Sequence, residues 1–326
     1  MTLESGASLG SAARWAALAV SLASLVAVVI WATHQQAPHL PSSASRIEAL
    51  LGALAVYGVG MLLRGERWWR ILRHDGAGSN RADAWALTTV GYMGNCVLPA
   101  RAGDAIRAYL QSVRSGATIR GVLGTLIAER VLDVVFLLGM FAVLAYGVLN
   151  GIATPGGGRV VWPLAAAAAV ALLLAGGWML ARRHPAGRRW IDYLAPLADA
   201  TRRLRGRHGA LMLAFTAAIW GTEAAVYLLC GESVGISMSP VDALYLLAVL
   251  GIFVLIPSGP GYLGTFELAL VFGLSAIDAP DSASVSYLLT LRFVLTVPVT
   301  IAGIFLLVTR YGGFDSARGA WAKVSA

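Results

Sequence analysis

Arg101, Asp104 and Arg107 stand in the segment NCVLPARAGDAIRAYL, residues 95–110, which apolar sequence flanks on both sides. A charge at membrane depth is costly, so such groups are paired, face an aqueous cavity, or serve function. Pro99 and Gly103 break a helix here, and the arm starting at Asp104 presents unbonded backbone N–H groups. The positive end of that arm, with Arg101 and Arg107 beside it, makes an anion site suited to a phosphate. Asp104 is placed to cap the arm and pair with an arginine, leaving the site net positive. The competing reading is a salt-bridged knot at the membrane rim.

A second interrupted segment, LGIFVLIPSGPGYLGTFELAL, sets Gly259, Gly261 and Gly264 around a proline turn, with Glu267 one turn into the next helix. Glycines there let backbone N–H groups approach a ligand closely. Glu267 either takes a proton or a cationic group, or pairs with an internal arginine. In AERVLDVV, Glu129 and Asp133 are four apart and share a face with Thr125 and Gly121, while Arg130 points about 100° away. Similar polar stripes run through Tyr57, Met61 and Arg64, through Thr216, Trp220, Glu223 and Tyr227, and through Arg292, Thr296, Thr300 and Gly303. They fit either a shared internal cavity or plain interhelical pairing, for example of Arg292 with Glu223 or Glu267.

Several chemistries are set aside. A phosphate-binding loop of the G-x-x-x-x-G-K type needs a lysine, and the single lysine is Lys323 in the tail. The five histidines fall in loops or at helix ends without metal-ligand spacing. No catalytic residue, metal or cofactor is assigned. Cys96 and Cys230 both lie in apolar sequence and read as packing residues.

The elements that position these groups follow from composition. Of 326 residues, 58% are hydrophobic and 13% charged, with mean hydropathy +0.71. Soluble domains are about half apolar and a quarter charged, so the chain reads as an integral membrane protein. The net charge of +8 comes almost wholly from arginines in short loops, which fits anionic lipid rather than nucleic acid. Six segments read as full spans: 14–33, 48–64, 121–149, 160–181, 209–231 and 285–309. The first, running from Trp15 to Trp31, is too long for a cleaved leader. Arginine clusters at 64–81 and 182–207, against arginine-poor stretches at 34–47, 150–159, 232–240 and 278–284, place both termini in the cytoplasm. Segments 84–113 and 241–277, broken by Pro and Gly, read as re-entrant hairpins entering from opposite sides. The expectation is an all-α polytopic fold with inverted repeats at 48–149 and 209–309 and a basic cytoplasmic loop at 182–208, an arrangement that transporters use.

The order RGERWWRILR, GNCVLPARAGDAIRAYL, ERVLDVV and PSGPGYLGTFE resembles the lysylphosphatidylglycerol synthase transmembrane-region family of flippase-like proteins over about residues 45–310. In the multiple peptide resistance factor a similar region precedes an aminoacyl-transferase domain and is thought to move the aminoacylated lipid. Stand-alone relatives are tied to lipid-linked glycan or hopanoid pathways. The resemblance carries over Asn95, Pro99, Arg101, Gly103, Asp104, Arg107, Glu129, Arg130, Asp133, Pro257, Gly261, Gly264 and Glu267, with Asp104 where glutamate is common. It implies a multi-pass protein of the bacterial inner membrane that moves an anionic phospholipid or a polyprenyl-phosphate-linked group between leaflets. Arg101, Arg107 and the arm after Gly103 would meet the phosphate, with Arg292 and residues 259–264 as the opposite station. Glu129, Asp133, Glu223 and Glu267 would balance charge or couple to protons. Two rivals stay open: a lipid-modifying enzyme with Asp104 or Glu129 as base, and a non-catalytic subunit docking a cytoplasmic synthase or glycosyltransferase through the 182–207 loop.

Overall fold

A computed structural model of the chain describes residues 4–39, 41–78, 80–98, 102–149, 199–253 and 259–313. Their regular elements are helices: α1 (Glu4–Thr33), α2 (Ala44–His74), α3 (Arg81–Val97), α4 (Ala102–Ser115), α5 (Ile119–Leu149), α6 (Gly206–Val234), α7 (Pro240–Phe253), α8 (Thr265–Ala276) and α9 (Asp281–Arg310). A 3-10 turn at Pro260–Tyr262 leads into α8. The fold expectation of all-α architecture therefore holds for the described residues. Pro99, Arg101, Pro257, the span expected at 160–181 and the loop residues 182–198 fall outside them.

Among the described residues three helices are long and apolar enough to cross a membrane: α2, α6 and residues Ser282–Arg310 of α9, at 31, 29 and 29 residues. Thirty helical residues extend about 45 Å, more than a hydrocarbon core of roughly 30 Å. Their outward faces are apolar, with Ile301 and Phe305 each 65% exposed, as lipid rather than water would favour. The chain is a polytopic membrane protein.

Two elements run well past the expected boundaries. The first span, expected from 14, begins at Glu4. The span expected at 48–64 runs on to His74, capped at its start by Ser43. Arg64, expected at the end of that span and in its polar stripe, and Arg67, counted with the loop charges beyond it, are both helical and buried. Arginines at 64, 67, 70 and 73 recur about once per turn of a continuing helix, and the first three meet carboxylates there.

α3 and α4 form a helical hairpin whose feet share one end of the molecule. Arg114 Nε of α4 lies 3.3 Å from Asp83 Oδ2 of α3. Arg81 Nε lies 2.7 Å from Glu66 Oε2 in the last turns of α2. This is the arginine-rich end, where Arg203, just before α6, lies 3.5 Å from Asp75, the residue after α2. Burial pushes the Asp75 carboxyl above the usual carboxylate range, against the pull of Arg203.

The second hairpin, α7 and α8, has its feet at the opposite end. Gly235, left-handed at φ 85°, stops α6 just before α7, and Ile236 N–H reaches back to Gly231 O at 2.8 Å. Val234, Gly235, the start of α9 and Arg46 at the start of α2 enclose one pocket there. The arms have 17, 14, 14 and 12 residues, or about 18–26 Å, short of a full crossing. Two runs of helices thus repeat the order long, short, short, long: α2–α5 and α6–α9. Each hairpin has its own apolar core, one around Leu246, Leu270, Tyr287 and Leu291, the other around Trp68, Leu87, Val90 and Ile106.

Candidate functional site

The tips of the two hairpins meet. Gly261 in the second turn takes φ 59° and sits so close to the end of α3 that a Cβ there would be 2.7 Å from the Cys96 carbonyl oxygen. Only glycine fits that combination of left-handed backbone and close approach.

The first tip is built by small residues. A Cβ on Gly94 would lie 2.6 Å from Gly103 Cα, so α3 and α4 touch backbone to backbone. Asn95 then spans the break. Its Oδ1 accepts the Asp104 N–H at 3.3 Å and its Nδ2 donates to Asp104 Oδ1 at 3.2 Å. Asn95, expected near a ligand, thus caps α4 from the facing arm. Asp104, expected as the cap, receives the amide of Asn95.

Arg107 departs from the expected phosphate contact. It is 1% exposed, its Nη2 lies 3.1 Å from Glu129 Oε2, and its guanidinium stacks 3.7 Å above the Trp68 ring. The cause is its position along the arm: Arg107 shares a face of α4 with Asp104 but stands about one turn further from the tip, where Trp68 of α2 and Glu129 of α5 meet it. Arg107 therefore joins a seam of buried ion pairs. Arg67 is its centre: Nη1 donates to Asp133 Oδ1 at 2.7 Å and to Thr216 Oγ1 at 2.8 Å, and Nε lies 3.6 Å from Glu129 Oε1. Arg130 pairs with Asp133 at 3.4 Å on its own helix. Arg64 pairs with Glu223 and sits 5.5 Å from the Tyr92 ring centroid. Trp68 Nε1 donates to Thr125 Oγ1 at 3.0 Å.

The polar stripes of α2, α5 and α6 thus face one another as ion pairs. Four arginines (64, 67, 107 and 130) stand with Glu129, Asp133, Glu223 and the nearby Asp104, four charges against four. Hydrogen bonding is incomplete, however: Arg67 Nε, Arg107 Nε and Nη2, Arg130 Nε and Glu129 Oε2 have no hydrogen-bond partner. An unpaired polar group is costly at low local dielectric, so these atoms set the energetic stake of the seam.

The second tip holds Arg292 and Glu267. Arg292 Nε lies 3.3 Å from Glu267 Oε1, its guanidinium sits 5.1 Å from the Phe266 centroid, and its side chain stays 22% exposed. Of the two pairings open in the sequence, Glu267 is the one made. Glu267 Oε2 also accepts the Gly264 N–H at 2.7 Å. Other loop amides are engaged as well: Gly259 N–H by Ser21 Oγ at 2.6 Å, Tyr262 N–H by Gly259 O, Leu263 N–H by Pro260 O. Gly261 lies beside Arg292, whose Nη2 would be 3.4 Å from a Cβ at Gly261.

Two residues of this arrangement escape sequence reading. Arg67 lies among charges that composition assigns to a loop; only its turn spacing from Arg64 signals it. Ser21 sits in α1, 238 positions from the amide it caps, with no local signal. The α1 backbone presses on the loop closely enough that a Cβ at Gly264 would meet Leu25 N at 2.9 Å. Ser21→Ala leaves the Gly259 N–H buried and unbonded, so the folded state should lose about 1–3 kcal/mol. Thermal unfolding in detergent checks this; a midpoint equal to wild type would remove Ser21 from the turn's support.

Comparison with known proteins bears on this geometry. Residues 14–303 match the family described as lysylphosphatidylglycerol synthase TM region. The chain belongs to that family. It is also 38% identical over 110 residues to glycosyltransferase AglD of Haloferax volcanii, a match covering 33% of this chain and 17% of that protein. The chain thus aligns with well under two thirds of that relative. The match to the family takes in both hairpins and the helices of the buried seam.

Proposed function

We propose that the chain moves an anionic phospholipid or another lipid-linked phosphate between the leaflets of its membrane. One observation carries the reading: two helical hairpins rise from opposite ends and touch at Cys96 and Gly261, beside the partly exposed Arg292. On this reading the hairpins are re-entrant and residues 48–149 and 209–309 are inverted repeats. Short broken helices meeting at mid-depth are the usual setting for a transported ion or headgroup. A bare phosphate in hydrocarbon is prohibitive, and fixed donors lower that barrier. Arg292 supplies donors on one side. On the other, the seam balances without Arg101, which adds one positive charge by its place between Pro99 and Gly103.

Arg107, Arg130, Glu129, Asp133 and Glu223 then hold the frame, and Glu267 keeps Arg292 in position. The positive-inside rule puts the arginine-rich end and both termini in the cytoplasm, here of a bacterial inner membrane. Membrane lipids, anionic ones first, are the partners of this reading.

Liposomes with leaflet-selective quenching of labelled lipid test it. Wild type moves labelled phosphatidylglycerol faster than empty vesicles, and Arg292→Met and Arg101→Ala each slow it at least about tenfold, the size of one charged hydrogen bond. Wild type no faster than empty vesicles for every labelled anionic lipid would end the proposal.

The partial likeness to a glycosyltransferase favours a second reading, a non-enzymatic membrane subunit serving a glycan-building enzyme. Deleting 182–207 would then abolish function while Arg101→Ala leaves it intact.

A further inference from the structure

At the arginine-poor end, far from the hairpin tips, a pocket of about 300 Å³ lies between Arg46 of α2, His39, Gly235 and the first turn of α9. Its size is at the lower limit of ordinary small-ligand sites, enough for a phosphate with one small substituent. Among the described residues of the lining, Arg46 is the one with a formal charge. Arg46 is half-buried, yet its guanidinium has no carboxylate within ion-pair distance and no hydrogen bond among the described residues. The chain brings α6 against it by way of Gly235, where φ is 85° and an added Cβ would lie 2.7 Å from Arg46 Nη2. A side chain at 235 would thus fill the space Arg46 occupies.

Two further donors converge there. α9 opens with Pro280 as its cap and no capping side chain; the Pro280 carbonyl accepts the Ala283 and Ser284 N–H groups at 3.1 Å, so Ser282 is the pocket-lining residue that brings a first-turn N–H. Ser282 and Ala283 of that turn line the pocket. His39 is fixed by Ser286, one turn further: its backbone N–H donates to Ser286 Oγ at 2.9 Å, and Nδ1 lies 2.7 Å from the same oxygen. The hydroxyl proton satisfies Nδ1, which leaves Nε2 as the N–H donor in the tautomer this network assigns. A guanidinium fork, a helix N-terminus and an imidazole N–H around one small cavity match an oxyanion with several acceptor oxygens.

We propose that this pocket binds a phosphate mono- or diester at the face opposite the arginine-rich loops. The assignment stands apart from the translocation reading, since it requires only binding. The phosphate comes either from a lipid headgroup or from a soluble ester, and the probes separate the two.

In maltoside micelles, which bring no phosphate of their own, calorimetry with inorganic phosphate and with dihexanoyl phosphatidylglycerol reads the site directly. Wild type binds at least one, and Arg46→Gln weakens that binding at least tenfold. His39→Gln, at an exposed position, gives a smaller loss and keeps the test decisive if Arg46→Gln fails to fold. Phosphatidylglycerol binding tighter than phosphate assigns a lipid headgroup; phosphate binding alone assigns a soluble ester. No heat from either probe, or equal affinities in wild type and both variants, overturns the proposal whatever the liposome assay shows.

Discussion

Replacing Glu129 with leucine lowers the stability of the folded chain by about 3–5 kcal/mol, the cost of stranding a buried charge. Glu129 is 2% exposed and its two oxygens face two different guanidiniums, Arg67 at 3.6 Å and Arg107 at 3.1 Å. Arg67 keeps Asp133 and Thr216, but Arg107 loses the carboxylate with which it forms its ion pair. Chemical unfolding in mixed micelles measures the loss. Adding Arg107→Leu to Glu129→Leu should recover part of it, because an apolar pair can replace a buried ion pair at little net cost. A single variant within about 1 kcal/mol of wild type would mean that the seam is hydrated and the pairing incidental.

The next largest effect is expected at Gly103. A Cβ there would lie 2.5 Å from Asn95 N and would also run into the Gly91 carbonyl oxygen, both rigid backbone atoms. Gly103→Val therefore forces the arms of the first hairpin apart. That separates Asn95 from Asp104 and drags Arg107 from Glu129, so the cost should reach or exceed the roughly 1–3 kcal/mol usual for overpacking. Cys96, half-buried at the tip, reports the opening, while the buried Cys230 is an internal control. Maleimide labelling of Cys96 should accelerate about tenfold or more in the variant. Unchanged labelling and an unchanged melting midpoint would show that the arms are not tightly packed.

Periodicity made part of this legible in advance. Glu129 and Asp133, or Glu223 and Tyr227, stand one turn apart on apolar helices, and such spacing survives whatever the helix packs against. The two breaks were equally readable, since proline and glycine act on the local backbone. Partner choice was not. That Arg64 takes Glu223 and leaves Arg292 to Glu267 depends on how helices 159 positions apart are laid together. Arg107 misled for a related reason: its neighbours in sequence mark a tip, while its side chain meets α2 and α5 about one turn further along the arm. The length of α2 was hidden because counting loop charge cannot tell an arginine in water from one paired inside.

The seam also bears on how the chain enters its membrane. Arg64 and Arg67 emerge from the ribosome well before their counter-charges: Asp133 follows Arg67 by 66 residues, and Glu223 follows Arg64 by 159. At roughly 5–20 residues per second, that is about 3–13 s and about 8–32 s of waiting. A helix released alone into hydrocarbon over that interval would hold bare guanidiniums, a cost that favours release of α2 together with α5 and α6 over release by itself.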